Sequence, residues 1–384
     1  MSRSSFALSL FALVACGDND EVIPPGGPDG SMLADAAPAM SRAVVVSGDF
    51  AATGVLSTLD LPARAITPNA VVGIAGIDPV IRKYGDEIFV INRFGGDNVT
   101  IISAETLALV DQISTGADSN PQDVAVVGDK LYVPALGTAG VLVIDRANSN
   151  ATSTIDLADL DANDDLPDCI SAYTVGTRVF VACGLLDGFA AVVPGRVAVI
   201  DSATDTSTTD IALPAINPFG WFAPSPSAGP LGGDLLIAHA PSFEDFSSGC
   251  LARVSTGNTP AATCAITNSE LGGYANRVAA SSEGSLLWIV VDGDAEVGPG
   301  FMPYGRLRGY DIAGDFLWDG GVSPESQLIV DLAVCQDNQV VVADRPMTGP
   351  TGLRVYDSTT EVTTAPLDIG MPPAFGNAIT CFAR

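Results

Sequence analysis

The stretch Val197–Leu213, VAVIDSATDTSTTDIAL, is a β-branched apolar run, an Asp, a polar turn and a Thr-rich run. The same phrase stands at Val141–Leu157, VLVIDRANSNATSTIDL, and at Leu353–Ile369, LRVYDSTTEVTTAPLDI. Aligning its apolar run along the chain finds seven copies, which end at Asp60, Ser103, Asp145, Asp201, Ser255, Asp311 and Asp357, 42 to 56 residues apart. A period of this length, carrying several short β-rich runs, marks a propeller blade: one small sheet cannot bury both faces until neighbours stack on it.

Four runs make up a copy. In the third they are DVAVV, KLYVP, VLVID and STIDL, and in the fourth CISAY, RVFVA, RVAVI and TDIAL. Turn residues between these runs make them antiparallel strands, here a to d from the inside outward. No window carries a helical period. The first copy has only three runs, AVVVSG, GVLSTLD and ARAIT, while the C-terminus adds an orphan run, GNAITCFAR. The expected fold is therefore all-β, a seven-bladed β-propeller of four-stranded antiparallel blades, closed by a C-terminal inner strand that leaves no open sheet edge. The continuous runs VLVI, VAVI and LLWIVV suit strands buried on both faces. An outer-membrane barrel would instead alternate apolar and polar residues.

The phrases DKLYVPALGTAGVLVIDRANSNATSTIDL and TRVFVACGLLDGFAAVVPGRVAVIDSATD resemble the YVTN-type repeats of bacterial β-propellers, most closely over residues 78–214. That resemblance implies the fold. It leaves function open, since such propellers include binding modules as well as lactonase-like and lyase-like enzymes.

The N-terminus supplies an address. Residues 1–15 carry Arg3 and an apolar core from Phe6 to Ala15, too short to span a bilayer, and read as an export signal. Leu13, Val14, Ala15 and Cys16 resemble the lipobox of bacterial lipoproteins, which implies cleavage before Cys16 and acylation of it. Gly17 follows where an inner-membrane retention signal would place Asp. The expected location is the bacterial cell envelope, as an outer-membrane lipoprotein facing the periplasm or the surface. Residues 16–40 are rich in Pro, Gly and Asp and read as a disordered tether with a reach of roughly 25 to 30 Å. The propeller takes residues 41–384. With 45 acidic against 17 basic side chains, a net charge of -28 excludes nucleic acid as a partner and leaves the lipid anchor as the one membrane contact.

Apart from Cys16, six cysteines remain, and an even number in an exported chain predicts disulfides. Cys169 and Cys183 flank the turn at Gly176, and Cys250 and Cys264 flank Gly257, so each pair faces across a hairpin. Cys335 and Cys381 fall near the inner strands of the seventh and first blades, adjacent only if the ring closes as described. Thiolate metal sites are disfavoured by the absence of any CxxC spacing.

In a propeller the b–c and d–a loops share one face. Here they hold the insertions: GLLDGFAAVVPG, PSFEDFSSG, VDGDAEVGPGFMPYG and RPMTGPTG, with ADLDANDDLPD and NPFGWFAPSPS read as d–a loops. The a–b turns VGDK, VGTR, EGS and QDNQ are tight. Long loops gathered over a rigid scaffold are where binding or catalysis resides. The expected binding face comprises Arg93, Phe189, Trp221, His239, Phe243, Phe246, Asp292, Phe301, Tyr304 and Arg345. Its aromatic, acidic character suits an envelope protein or a glycan, unless the rings fold back over their own loops. Asp159, Asp161, Asn163 and Asp165 place oxygens at alternate positions, like the start of a calcium loop. The expected Gly and bidentate Glu are replaced by Asp164 and Ile170, so a solvated acidic loop competes with Ca2+ there, and no other cofactor is expected. His239 is the one histidine, and no nucleophile motif supports it. The expectation is a non-enzymatic binding or scaffold protein. The alternative is a lactonase- or lyase-like enzyme acting at the channel mouth through His239, Arg93 and Asp292.

Overall fold

The computed structural model describes residues 41–242, 245–293, 305–320, 328–335, 338–346 and 349–383. The signal segment, the tether, Cys16, Phe243, Phe301 and Tyr304 lie outside these residues. Seven four-stranded antiparallel sheets form a ring of blades. In the first, the inner strand is Ile379–Ala383, followed outward by Ser41–Gly48, Gly54–Asp60 and Ala65–Ala75. The other inner strands are Pro79–Tyr84, Ala125–Val127, Cys169–Val175, Pro218–Pro224, Tyr274–Ala280 and Ile329–Val334. The tail thus completes the blade that the N-terminal strand begins, with Val44 opposite Thr380. Among the described residues no helix is long and apolar enough to cross a membrane.

The repeated phrase has a local cause. Each copy ends strand c, and in five of the seven the terminal Asp or Ser folds back to accept backbone N–H groups of the following turn. Asp201 accepts from Ala203, Asp311 from Ala313 and Asp315, Ser103 from Thr106 and Ser255 from Ala261. Such side chains hold a turn where water would otherwise compete for the amides. The tight a–b turns put Gly85, Gly128 and Gly176 at positive φ in two-residue hairpins, a backbone that disfavours a side chain. The fifth blade departs from this rule, since residues 225–234 separate Pro224 from Leu235 in place of a tight turn.

Between blades the core is layered. Val141, Val143, Ile155, Val179 and Val181 pack one seam, and Phe180, Val197, Val199, Leu235 and Ile237 the next. Two buried carboxylates stitch seams near the axis. Asp123 on the third blade takes a bidentate pair from Arg82 of the second, at 2.7 Å, and accepts from Ser171 Oγ and Ala172 N of the fourth at 3.0 Å. Asp331 on the seventh accepts from the Ala378 and Ile379 amides of the closing strand at 2.7 Å and faces Arg277 of the sixth.

All three expected disulfides are present: Cys169–Cys183 between strands a and b, Cys250–Cys264 between c and d, and Cys335–Cys381 across the closing seam. Such bonds persist in oxidising compartments outside the cytoplasm.

Candidate functional site

A cavity of about 630 Å³ opens at the channel mouth on the face of the b–c and d–a loops. Phe50, Phe219, Trp221, Tyr274 and Phe375 line it with Arg93, Arg277, Asn276 and Asp292. A second cavity of about 380 Å³, lined by Arg82 and Asp331, enters from the other end. Trp221 and Arg277 border both and form the partition between them.

Trp221 reaches the axis through an irregular strand. The sequence reading placed it and Phe222 on a d–a loop, whereas Pro218–Pro224 is the inner strand of the fifth blade. Its pairing passes from Phe219 opposite Ala238 to Ala223 opposite Leu236, leaving three residues against one. This bulge, with Gly220 at φ 86°, re-aims Trp221 towards the channel. A Cβ on Gly220 would lie 3.1 Å from Arg277 Nη1. The Trp221 indole donates to the Gln122 carbonyl at 3.1 Å, and its ring centre is 4.5 Å from the Arg277 guanidinium and 5.4 Å from that of Arg93. Phe222 points instead into the core and is buried.

The rim is a second cluster. Phe50 adopts φ 56°, unusual for a bulky residue, in a loop that Asp49 holds by accepting the amides of Ala51, Ala52 and Thr53. Its ring sits 5.5 Å from Phe375. The Arg345 guanidinium lies over both, at 5.4 and 4.7 Å, and donates to the Gly48 and Pro373 carbonyls.

The charged groups differ in how far they are committed. Arg93 is bound to Asp78 at 2.7 Å and to the Phe375 carbonyl at 2.8 Å. Arg277 spends Nη1 on the Asn276 carbonyl and side chain, while its Nε has no hydrogen bond among the described residues and stands 3.6 Å from Asp331. Burial pushes Arg277 down to about 10, against the pull of Asp331. Burial also pushes Asp292 up to about 7, opposed by the Asn276 hydrogen bond and the Arg277 charge, and raises Asp331 to about 6. Asp292 accepts from Asn276 through Oδ2 at 2.6 Å, and Oδ1 has no partner among the described residues.

Of the expected face, Arg93, Trp221 and Asp292 line this cavity, and Arg345 buttresses its rim. Phe246 packs 6.2 Å from Tyr274. Phe189 is fully exposed at the tip of a small hairpin, Leu186–Asp187 with Ala190–Ala191, and is not among the lining residues. His239 is absent from the lining as well: it is buried, its Nδ1 lies 3.0 Å from the Cys250 carbonyl, and burial pushes it down to about 4. In the acidic loop Asp159, Asn163 and Asp165 are exposed, while buried Asp161 turns inward to accept the Asn163 amide. Among the described residues no three His, Cys, Asp or Glu side chains gather into a metal site. The sequence reading missed Arg277, Asn276, Phe50 and Phe375. The visible signal for Arg277 was an Arg inside the apolar inner run YANRVAA, as Arg82 stands inside PVIRKY.

Fold and site together define a β-propeller with an aromatic pocket at one end of its channel. No protein-family model matches the chain, and no curated protein matches it. Solved structures do. A protein from Lactobacillus plantarum is 14% identical with a TM-score of 0.59, over 89% of this chain and 99% of that one. A quinoprotein alcohol dehydrogenase-like protein from Bacteroides thetaiotaomicron is 12% identical with a TM-score of 0.57, over 90% and 78%. AztD from Citrobacter koseri, in its apo form, is 12% identical with a TM-score of 0.53, over 89% and 98%. At such identities the likeness shows the propeller fold alone.

Proposed function

We propose that the protein is a lipid-anchored binding protein of the bacterial cell envelope, with no reaction of its own. Acylated Cys16 holds it to the membrane, residues 16–40 tether it, and the long-loop face engages a protein or glycan partner. The observation that carries this reading is the mouth cavity, where five aromatic rings converge around few polar groups. Such pockets favour capture of an apolar group, with the polar groups fixing its orientation.

A second reading, a lactonase- or lyase-like enzyme, draws on Asp292, whose carboxyl at about 7 suits proton transfer near neutrality. Its other expected members do not assemble: His239 is buried outside the lining and Arg93 is held by Asp78. Capture by the intact, anchored chain separates the two. In the binding reading Phe50→Ala and Phe375→Ala each lower recovery of the co-purified partner about tenfold or more, as expected for aromatic anchors, with unchanged melting. Unaltered recovery in both variants would refute it.

A further inference from the structure

Resting on the reading of the mouth as a binding site, we infer that it takes a small carboxylate with an apolar, ring-sized body, the carboxylate received by Arg277 and the body by the surrounding rings. The first support is a contrast between two arginines on inner strands. Arg82 of the second blade and Arg277 of the sixth each precede a blade whose Asp stitches the next seam. Arg82 is fully engaged by Asp123 at 2.7 Å through both Nε and Nη2. Arg277 is equally buried but stands 3.6 Å from Asp331, whose Oδ2 is taken by the closing strand. Its Nε is buried against Asp331 beyond hydrogen-bond distance, and its Nη2 donates to nothing among the described residues. A buried guanidinium with an unused donor is costly unless a ligand oxygen completes it, and a carboxylate oxygen is the strong acceptor for it.

The second support is local charge. Although the whole chain carries -28, the mouth gathers Arg93, Arg277 and Arg345. Asp78 balances Arg93, and Asp331 at 3.6 Å partly offsets Arg277. Arg345 lies over Phe50 and Phe375 and, among the described residues, has no carboxylate within 4 Å. The remaining acid in the lining, Asp292, loses its charge when it takes up a proton at Asn276's side. A positive, low-dielectric pocket inside an acidic protein focuses attraction on a small anion, while the outer charge repels polyanions. The third support is the lining, whose Phe219, Trp221, Tyr274 and Phe375 leave few groups to pair with the hydroxyls of a sugar.

The groups facing Asp292 are Asn276, Arg277 and, opposite it in register, Tyr274; Arg93 and Asp331 act on it through Arg277. A bound anion beside Asp292 raises that group's proton affinity, so by linkage anion affinity falls as pH rises through about 7. A cationic ligand would show the opposite slope.

Calorimetric titration of the full chain with 3-phenylpropionate, 3-phenylpropanol, 3-phenylpropylamine and glucuronate, at pH 6 and pH 8, tests this. Phenylpropionate is expected to bind about tenfold or more tighter than the alcohol, the scale of a charged hydrogen bond. The amine binds weakest, and phenylpropionate affinity is lower at pH 8. Arg277→Gln removes the preference for acid over alcohol, and Asp292→Asn keeps it while flattening its pH dependence. The ranking in the unaltered protein stands even if Arg277→Gln does not fold. Equal acid and alcohol affinities, a tightest-binding amine, affinity rising with pH, or an acid preference surviving Arg277→Gln each overturn the carboxylate. Glucuronate bound as tightly as phenylpropionate overturns the apolar body. Absence of binding by every probe overturns the inference, whereas loss of partner capture in the Phe50 and Phe375 variants still supports the binding reading.

Discussion

Asp123 and Asp331 show how single residues govern this ring. Each accepts two hydrogen bonds from the following blade while facing an Arg of the preceding one, so each joins three blades. Removing Asp123 leaves Arg82 buried without its partner, and Asp123→Ala is expected to cost about 3 to 5 kcal/mol in denaturant unfolding. Asp292 gives a pH-dependent effect with a definite sign. Its folded value of about 7 lies above its ordinary 3.8, so the folded state holds the extra proton between those values. Its contribution to stability is present at low pH and declines as pH rises from about 4 through about 7. Asp292→Asn is therefore expected to raise the melting temperature at pH 8 relative to the unaltered protein, with little change at pH 4. An equal effect at both values would contradict the assignment. His239 was a reasonable reading from the sequence, as the one histidine near a strand end. Its burial depends on neighbours far along the chain, such as Asn268, which donates to its carbonyl.

At the scale of elements, the repeated strand c and the tail were legible because they are local. An apolar run ending in Asp or Ser carries both the strand and the cap of its turn, and GNAITCFAR is a strand without a partner in its own neighbourhood. The inner strand of the fifth blade was not legible. NPFGWFAPS has turn-like Pro and Gly and no regular period, and it becomes a strand only because Leu235–His239 offers it an edge and the bulge absorbs Gly220. Gly220→Ala, at φ 86°, is expected to cost roughly 1 to 3 kcal/mol and to weaken ligand capture by shifting Trp221, as seen in melting and in titration. The closing seam is held by backbone pairing and by Cys335–Cys381, which spans 46 residues. In the loop-entropy model Cys381→Ser costs about 4 kcal/mol, against about 3 for either 14-residue bridge. A smaller loss for Cys381→Ser than for Cys264→Ser would show that pairing alone secures the ring.

For the whole molecule, the sequence by itself determined the blade count, the all-β class and the disulfide partners. Each of these rests on period, composition or spacing, which survive in a linear chain. It also put the insertions on the face where the mouth cavity opens, because loop length follows from strand order. Cys16→Ser is expected to move the protein from the membrane fraction to the soluble one while leaving its melting unchanged. Only the tertiary structure decided which residues meet at the mouth. Phe50, Trp221, Arg277, Asp292 and Phe375 come from three blades and the closing segment, and no pattern of nearby residues links them. The physical reason is that ring closure sets their distances, and burial then sets their charge. Arg277 becomes a candidate receptor because Asp331 is engaged by the chain's own tail, a competition that exists only once the last strand has docked against the first.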